Sequence, residues 1–128
     1  MREEPIPVFA EMGSINPVIL LPEALKNRAA AIAKTYSNSI TLGTGQFCTN
    51  PGLIIGLKSE GLNNFVNTLA EEIVKVEPSC MLHPNIAGAY EKNKEKALSQ
   101  EGLKVLANYD NEIPVSYTHL TLPTILLV

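Results

Sequence analysis

An α/β fold with a mostly parallel sheet is predicted by three features of this sequence. Apolar residues recur at three- and four-residue spacing in stretches that open on proline or serine. Short, mostly apolar runs, LIIGL at 53–57 and LKVLA at 103–107, alternate with those stretches. Glycine and proline fall mostly at the junctions, as at Pro51-Gly52, Pro78 and Gly102.

Each element follows in order. Residues 6–12, IPVFAEM, read as extended, with Pro7 suiting an edge or a strand start. Gly13-Ser14 ends that run, and Ile15 to Leu21 resumes it around Asn16-Pro17. A helix opens at Pro22, whose missing N–H costs nothing in a first turn. Leu25, Ala29, Ile32, Ala33 and Tyr36 form its stripe, and Ser37-Asn38-Ser39 is expected to loosen its end. Thr41 to Asn50 is rich in Gly and Thr and reads as loop. LIIGL is a short buried strand. Ser59 then caps a second helix with an apolar stripe of Leu62, Phe65, Val66, Leu69, Ile73 and Val74. Pro84 opens a third helix carrying Ile86, Ala89, Tyr90, Ala97 and Leu98, stopped near Gly102, and LKVLA reads as a further strand.

Composition removes several function classes. The chain has 128 residues, enough for one domain or part of a larger one, and 45 % of them are hydrophobic. Ten basic and thirteen acidic side chains give a net charge of −3, without the clustered Lys and Arg that nucleic acid demands. Lys92, Lys94 and Lys96 alternate with Glu91 and Glu95, which is a solvated helix face. With aromatics at 5 % and no Trp, a base-stacking platform is not expected either. Two cysteines 32 positions apart are no disulfide framework. MREEPIPV lacks the apolar core of a signal peptide, and no apolar run is long enough to span a bilayer. The expectation is a reduced, cytoplasmic protein with no nucleic-acid or membrane partner.

VSYTHLTLPTILLV, at 115–128, breaks the pattern: it has no Asp, Glu, Lys or Arg and follows Pro114. Its first ten residues match the translation of a transposon-based sequencing adapter, in which a short variable index precedes a valine and a stop codon. Ile125, Leu126, Leu127 and Val128 fit that layout. Residues 114–128 are therefore expected to be a non-native tail, and His119 is set aside as a candidate ligand or base.

Two residues stand out as chemistry. Cys48 sits in GQFCTNPG, between an aromatic residue and a turn, where a structural cysteine would more often lie within an apolar run. A thiolate is a strong nucleophile, and backbone N–H groups in a loop flanked by Gly43 and Gly45 favour it. A small buried apolar cysteine is the alternative. Glu11 interrupts VFAEMG just before a glycine turn. Held in apolar surroundings, a carboxylate is tuned towards a general base; on an outward strand face it is merely solvated. Cys80 and His83 have metal-compatible spacing but no second ligand pair, so no metal site is expected. Gly43-Thr44-Gly45 is half a dinucleotide fingerprint without its third glycine or its strand-to-helix setting.

FAEMGSINPV at 9–18, followed by GTGQFCTNPG at 43–52, resembles the aldehyde dehydrogenase superfamily. More narrowly it is similar to the NADP-preferring branch that includes the 2,5-dioxovalerate (α-ketoglutaric semialdehyde) dehydrogenases. That family places its general-base glutamate in a Glu-Met-Gly motif with Asn-Pro soon after, and its nucleophile in Gly-Gln-x-Cys. Glu11, Asn16, Pro17, Gln46 and Cys48 fall on those positions, with base and nucleophile 37 positions apart.

The resemblance implies a partial aldehyde dehydrogenase fold. Residues 1–20 would be the end of a cofactor-binding domain and 21–113 the first part of the catalytic domain. It implies a small-molecule aldehyde as substrate, NADP or NAD as cofactor, and a homo-oligomeric parent enzyme. Cys48 would form a thioester by way of a thiohemiacetal, and Glu11 would activate the water that releases the acid. The family's oxyanion asparagine and its cofactor-binding elements have no counterpart in this stretch, so the chain alone is expected to be inactive and poorly soluble. Two other readings stay open: a small non-catalytic, thiol-bearing interaction module, and an acylating dehydrogenase in which coenzyme A takes the acyl group. Glu11 favours the hydrolytic form, because acyl transfer to coenzyme A needs no such base.

Overall fold

The computed structural model describes residues 16–77 and 79–107. The extended stretch expected at 6–12, Glu11 and the tail at 114–128 lie outside the described residues. Strand β1 (Pro17–Leu20) leads into helix α1 (Pro22–Thr41), a tight turn (Leu42–Gly45) and strand β2 (Leu53–Gly56); helices α2 (Glu60–Ile73) and α3 (Pro84–Leu98) follow. β1 and β2 pair in parallel, with Pro17 opposite Leu53 and Leu20 opposite Gly56. A parallel pair needs a crossover, and α1 supplies it. The fold is mixed α/β, as the alternation of helical and strand patterns predicts.

The core lies on one face of that sheet. Leu20 and Ile54 point into it and meet Leu25, Ala29 and Ala33 of α1 and Leu62, Phe65 and Leu69 of α2. Ala29 and Ala33 let the two helices approach closely, and Phe65, with none of its surface exposed, fills the space between them. Its ring tilts at 59° to that of Tyr36, with 6.0 Å between centroids, a favourable aromatic contact. The other face of the sheet is open among the described residues: Ile19 is 67 % exposed and its partner Ile55 42 %.

Three expectations are corrected. First, α1 does not loosen at Ser37-Asn38-Ser39 but runs on to Thr41. Ser37 and Ile40 fall on the buried stripe with Leu25, Ala29 and Ala33, so packing overrides their local preference. Thr41 satisfies itself by donating its hydroxyl to the Ser37 carbonyl at 2.8 Å. Second, LKVLA at 103–107 is not a strand. A strand needs a ladder partner, and the only sheet among the described residues is the β1–β2 pair; Val105 is half exposed. Third, Val74 is not on the α2 stripe but is its exposed C-terminal cap residue.

The helix-start signals hold, but LIIGL is not the buried strand expected: the strand stops at Gly56, and Ile55 and Leu57 are 42 % and 70 % exposed. The Ser59 hydroxyl accepts the N–H of Leu62 at 3.2 Å and caps α2, and Pro22 and Pro84 open α1 and α3. No residue of helix α3, however, is fully buried; Ala87, Tyr90, Lys94 and Ala97 are partly so.

Candidate active site

The parallel register brings the segments that precede β1 and β2 to the same end of the sheet. Asn16 directly precedes Pro17, and Cys48 to Gly52 directly precede Leu53. The two motifs therefore meet. The Asn16 side-chain amide donates to the carbonyl of Cys48 at 2.8 Å and to that of Asn50 at 3.2 Å.

The loop that carries Cys48 is built in stages. At the end of α1 the chain reverses through Gly43, Thr44 and Gly45, all left-handed, at φ of 57°, 58° and 71°. Glycine tolerates this; a β-branched threonine pays about 1–2 kcal/mol. Thr44 is held there because it is buried and its hydroxyl hydrogen-bonds that of Ser79 at 2.7 Å. Gln46 ties the loop in two directions: its amide nitrogen donates to the Gly43 carbonyl at 3.1 Å, and its amide oxygen accepts the Leu82 N–H at 3.0 Å. The Asn50 N–H donates to the Phe47 carbonyl at 3.0 Å, closing a turn with Cys48 and Thr49 at its centre.

Two further side chains brace the exit of the turn. The Asn50 amide donates to the Ile40 carbonyl at 2.8 Å, satisfying one of the orphan acceptors at the end of α1. The Tyr36 hydroxyl donates to the Pro51 carbonyl just before β2. Burial pushes the Tyr36 phenol up to about 12. Cys48 itself is exposed on this braced turn, next to Phe47, which is 53 % exposed. An exposed thiol on a fixed turn can meet a solute electrophile, which a core cysteine cannot.

Of the candidate residues, Asn16 meets the Cys48 turn, Gln46 braces the loop that leads into it, Pro17 begins β1, and Glu11 lies outside the described residues. Cys80 and His83 do other work: the Cys80 thiol donates to the Met81 carbonyl at 3.4 Å, and His83 caps α3 by accepting the Asn85 N–H on Nδ1 at 3.1 Å. The Gly43–Gly45 turn does not fit a nucleotide phosphate. The Phe47 ring occupies the space over Gly43, where an added Cβ would lie 2.5 Å from it, and the Thr44 hydroxyl is committed to Ser79.

Sequence reasoning did not assign Asn50, Thr44 or the Tyr36 hydroxyl to the loop. The Thr-Asn-Pro-Gly string signals that Asn50 makes a turn. Tyr36, counted only for its apolar face, carried the usual hint that a phenol on a buried stripe needs an acceptor.

No protein-family model matches the chain. It is 42 % identical over 107 residues to the alpha-ketoglutaric semialdehyde dehydrogenase of Acinetobacter baylyi, covering 84 % of this chain and 20 % of that protein. It is 45 % identical over 103 residues to alpha-ketoglutaric semialdehyde dehydrogenase 2 of Azospirillum brasilense, covering 80 % of this chain and 20 % of the relative. Over the matched stretch the chain belongs to the aldehyde dehydrogenase superfamily, a family of enzymes. The chain spans about a fifth of the length of these relatives. No helix among the described residues is long and apolar enough to cross a membrane.

Proposed function

We propose that this chain is the nucleophile-bearing part of a cytoplasmic, NAD- or NADP-dependent aldehyde dehydrogenase that oxidises an aldehyde to a carboxylate. 2,5-Dioxovalerate is the first substrate to try, because both relatives carry its synonym in their names. In this reading residues 1–20 close a cofactor domain, 21–113 begin the catalytic domain, and 114–128 are not native. The single observation that carries the reading is the Asn16 bridge, which joins the base-bearing motif to the nucleophile turn.

The Cys48 thiolate attacks the aldehyde carbon, forming a C–S bond and leaving an oxyanion. The Cys48 backbone N–H, with an asparagine from elsewhere in the enzyme, stabilises that charge. A nicotinamide cofactor bound by the complete enzyme would supply the acceptor for the aldehyde's hydride. Glu11 takes a proton from water, whose oxygen attacks the resulting thioester; the acid departs and the thiolate is restored. The 128-residue chain alone is inactive in this account, since it would have no cofactor site.

The test is to express the complete gene that contains this stretch and follow nicotinamide reduction with 2,5-dioxovalerate and simple aldehydes. The expected result is aldehyde-dependent reduction that Cys48→Ala abolishes. Full activity in Cys48→Ala, or turnover only when coenzyme A is added, would replace this reading.

A further inference from the structure

We propose that Asn16 is a positioning residue for catalysis: its side-chain amide sets the orientation of the Cys48 thiol and backbone N–H. The inference rests on the reading of Cys48 as nucleophile and adds a residue to that site.

Two peptide planes flank Cys48. The plane before it contains the Phe47 carbonyl, fixed by the Asn50 N–H at 3.0 Å. The plane after it contains the Cys48 carbonyl, fixed by the Asn16 amide at 2.8 Å. With both planes held, the Cys48 N–H and its Cα–Cβ bond each have one direction. Those are the two groups that must converge on an aldehyde, the thiol on its carbon and the N–H on its developing oxyanion.

Asn16 is suited to the task. An amide nitrogen has two N–H donors, and Asn16 places one on Cys48 and the other on Asn50 at 3.2 Å, spanning the turn. Its own backbone is restrained, because the residue before a proline is confined to extended conformations, and Pro17 is itself paired with Leu53. The clamp is therefore anchored in the sheet, not in another loop.

The experiment uses the complete enzyme and three variants. Asn16→Leu keeps the size and removes both donors; Asn16→Ser keeps one shorter donor and serves if the leucine variant does not fold. Ser59→Ala removes the α2 cap, away from the site, and controls for stability alone. Three quantities are read: the rate of the first-turnover burst of reduced nicotinamide, the rate of Cys48 alkylation by iodoacetamide across pH, and Tm. The expected result for Asn16→Leu is a burst slower by about 10²-fold, the scale of a misplacement near 1 Å, with alkylation little changed. Alkylation needs only a thiolate, whereas the burst also needs an aimed N–H. Asn16→Ser falls between, and Ser59→Ala lowers Tm while leaving the burst intact.

An unchanged burst in Asn16→Leu overturns the inference, as does a loss of burst matched by an equal loss of alkylation and Tm. Either result leaves the dehydrogenase reading standing. That reading fails on a different observation, a normal burst in Cys48→Ala.

Discussion

Tyr36, in the C-terminal half of α1, donates its hydroxyl to the carbonyl of Pro51, at the entrance to β2. This contact ties the crossover helix to the strand it delivers, on the far side of the turn that holds Cys48. The phenol is half-buried, and burial raises its pKa from the ordinary 10.0 to about 12.

A pH dependence follows. A group whose pKa is raised on folding contributes stability that is complete below its unfolded value and lost as pH climbs through the folded one. Tyr36 should therefore favour the folded state below pH 10.0, with that contribution lost as pH rises towards about 12. Ultraviolet titration should show Tyr36 ionising late. Tyr36→Phe should remove that late phase and flatten the alkaline loss of stability, at a cost of about 1 kcal/mol at neutral pH for the missing hydrogen bond. An unaltered alkaline slope in the variant would contradict the assignment.

Two glycines in helices give opposite predictions. A Cβ on Gly61 would lie 2.9 Å from Leu25 Cβ and 3.2 Å from the Leu25 backbone, so Gly61→Ala must push α1 and α2 apart. The expected destabilisation is about 1–3 kcal/mol, the range for overpacked cores. Gly88, within α3, has no atom within 4 Å of an added Cβ. Gly88→Ala should stabilise α3 by up to about 1 kcal/mol through helix propensity alone. Denaturation midpoints of the two variants should move in opposite directions.

Gly43→Ala tests the loop. The residue is left-handed at φ 57°, and an added methyl would meet the edge of the Phe47 ring at 2.5 Å. The ring must swing, carrying the peptide that precedes Cys48. Turnover of the complete enzyme is expected to drop by about 10-fold or more, with a smaller loss of Tm than Gly61→Ala causes. Adding Phe47→Ala should restore part of the activity, because the two sites share one contact. Additive losses in the double variant would rule out that coupling.

How much of this could be read in the sequence depended on how local each cause was. Pro22, Ser59 and Pro84 act within one turn, and they mark the helix starts that the structure shows. The parallel pair was legible because α1 lies between two apolar runs. Ser37-Asn38-Ser39 misled because their local tendency is weaker than the burial of Ser37 and Ile40 on the α1 stripe. LKVLA misled because a strand is a property of two segments, and its apolar pattern says nothing of a partner. At the site, Cys48, Asn16 and Gln46 could be picked out by motif. Their contacts could not, since Gln46 reaches Leu82 and Asn16 reaches Cys48 across more than thirty residues of chain.

Apolar surface is exposed among the described residues. Ile19 and Ile55 on the open sheet face, and Ile86 and Leu98 on α3, are each at least 40 % exposed. A free-standing domain would ordinarily cover a face of that kind.

The central claim is that Cys48 makes an acyl-enzyme and Glu11 breaks it. The measurement that tests it most directly is pre-steady-state turnover of Glu11→Gln in the complete enzyme, with mass spectrometry of the quenched protein. The account predicts a full burst of reduced nicotinamide, steady-state turnover reduced by about 10²- to 10⁴-fold, and an acyl adduct trapped on Cys48. Unchanged steady-state turnover, or a burst with no adduct on Cys48, would contradict it.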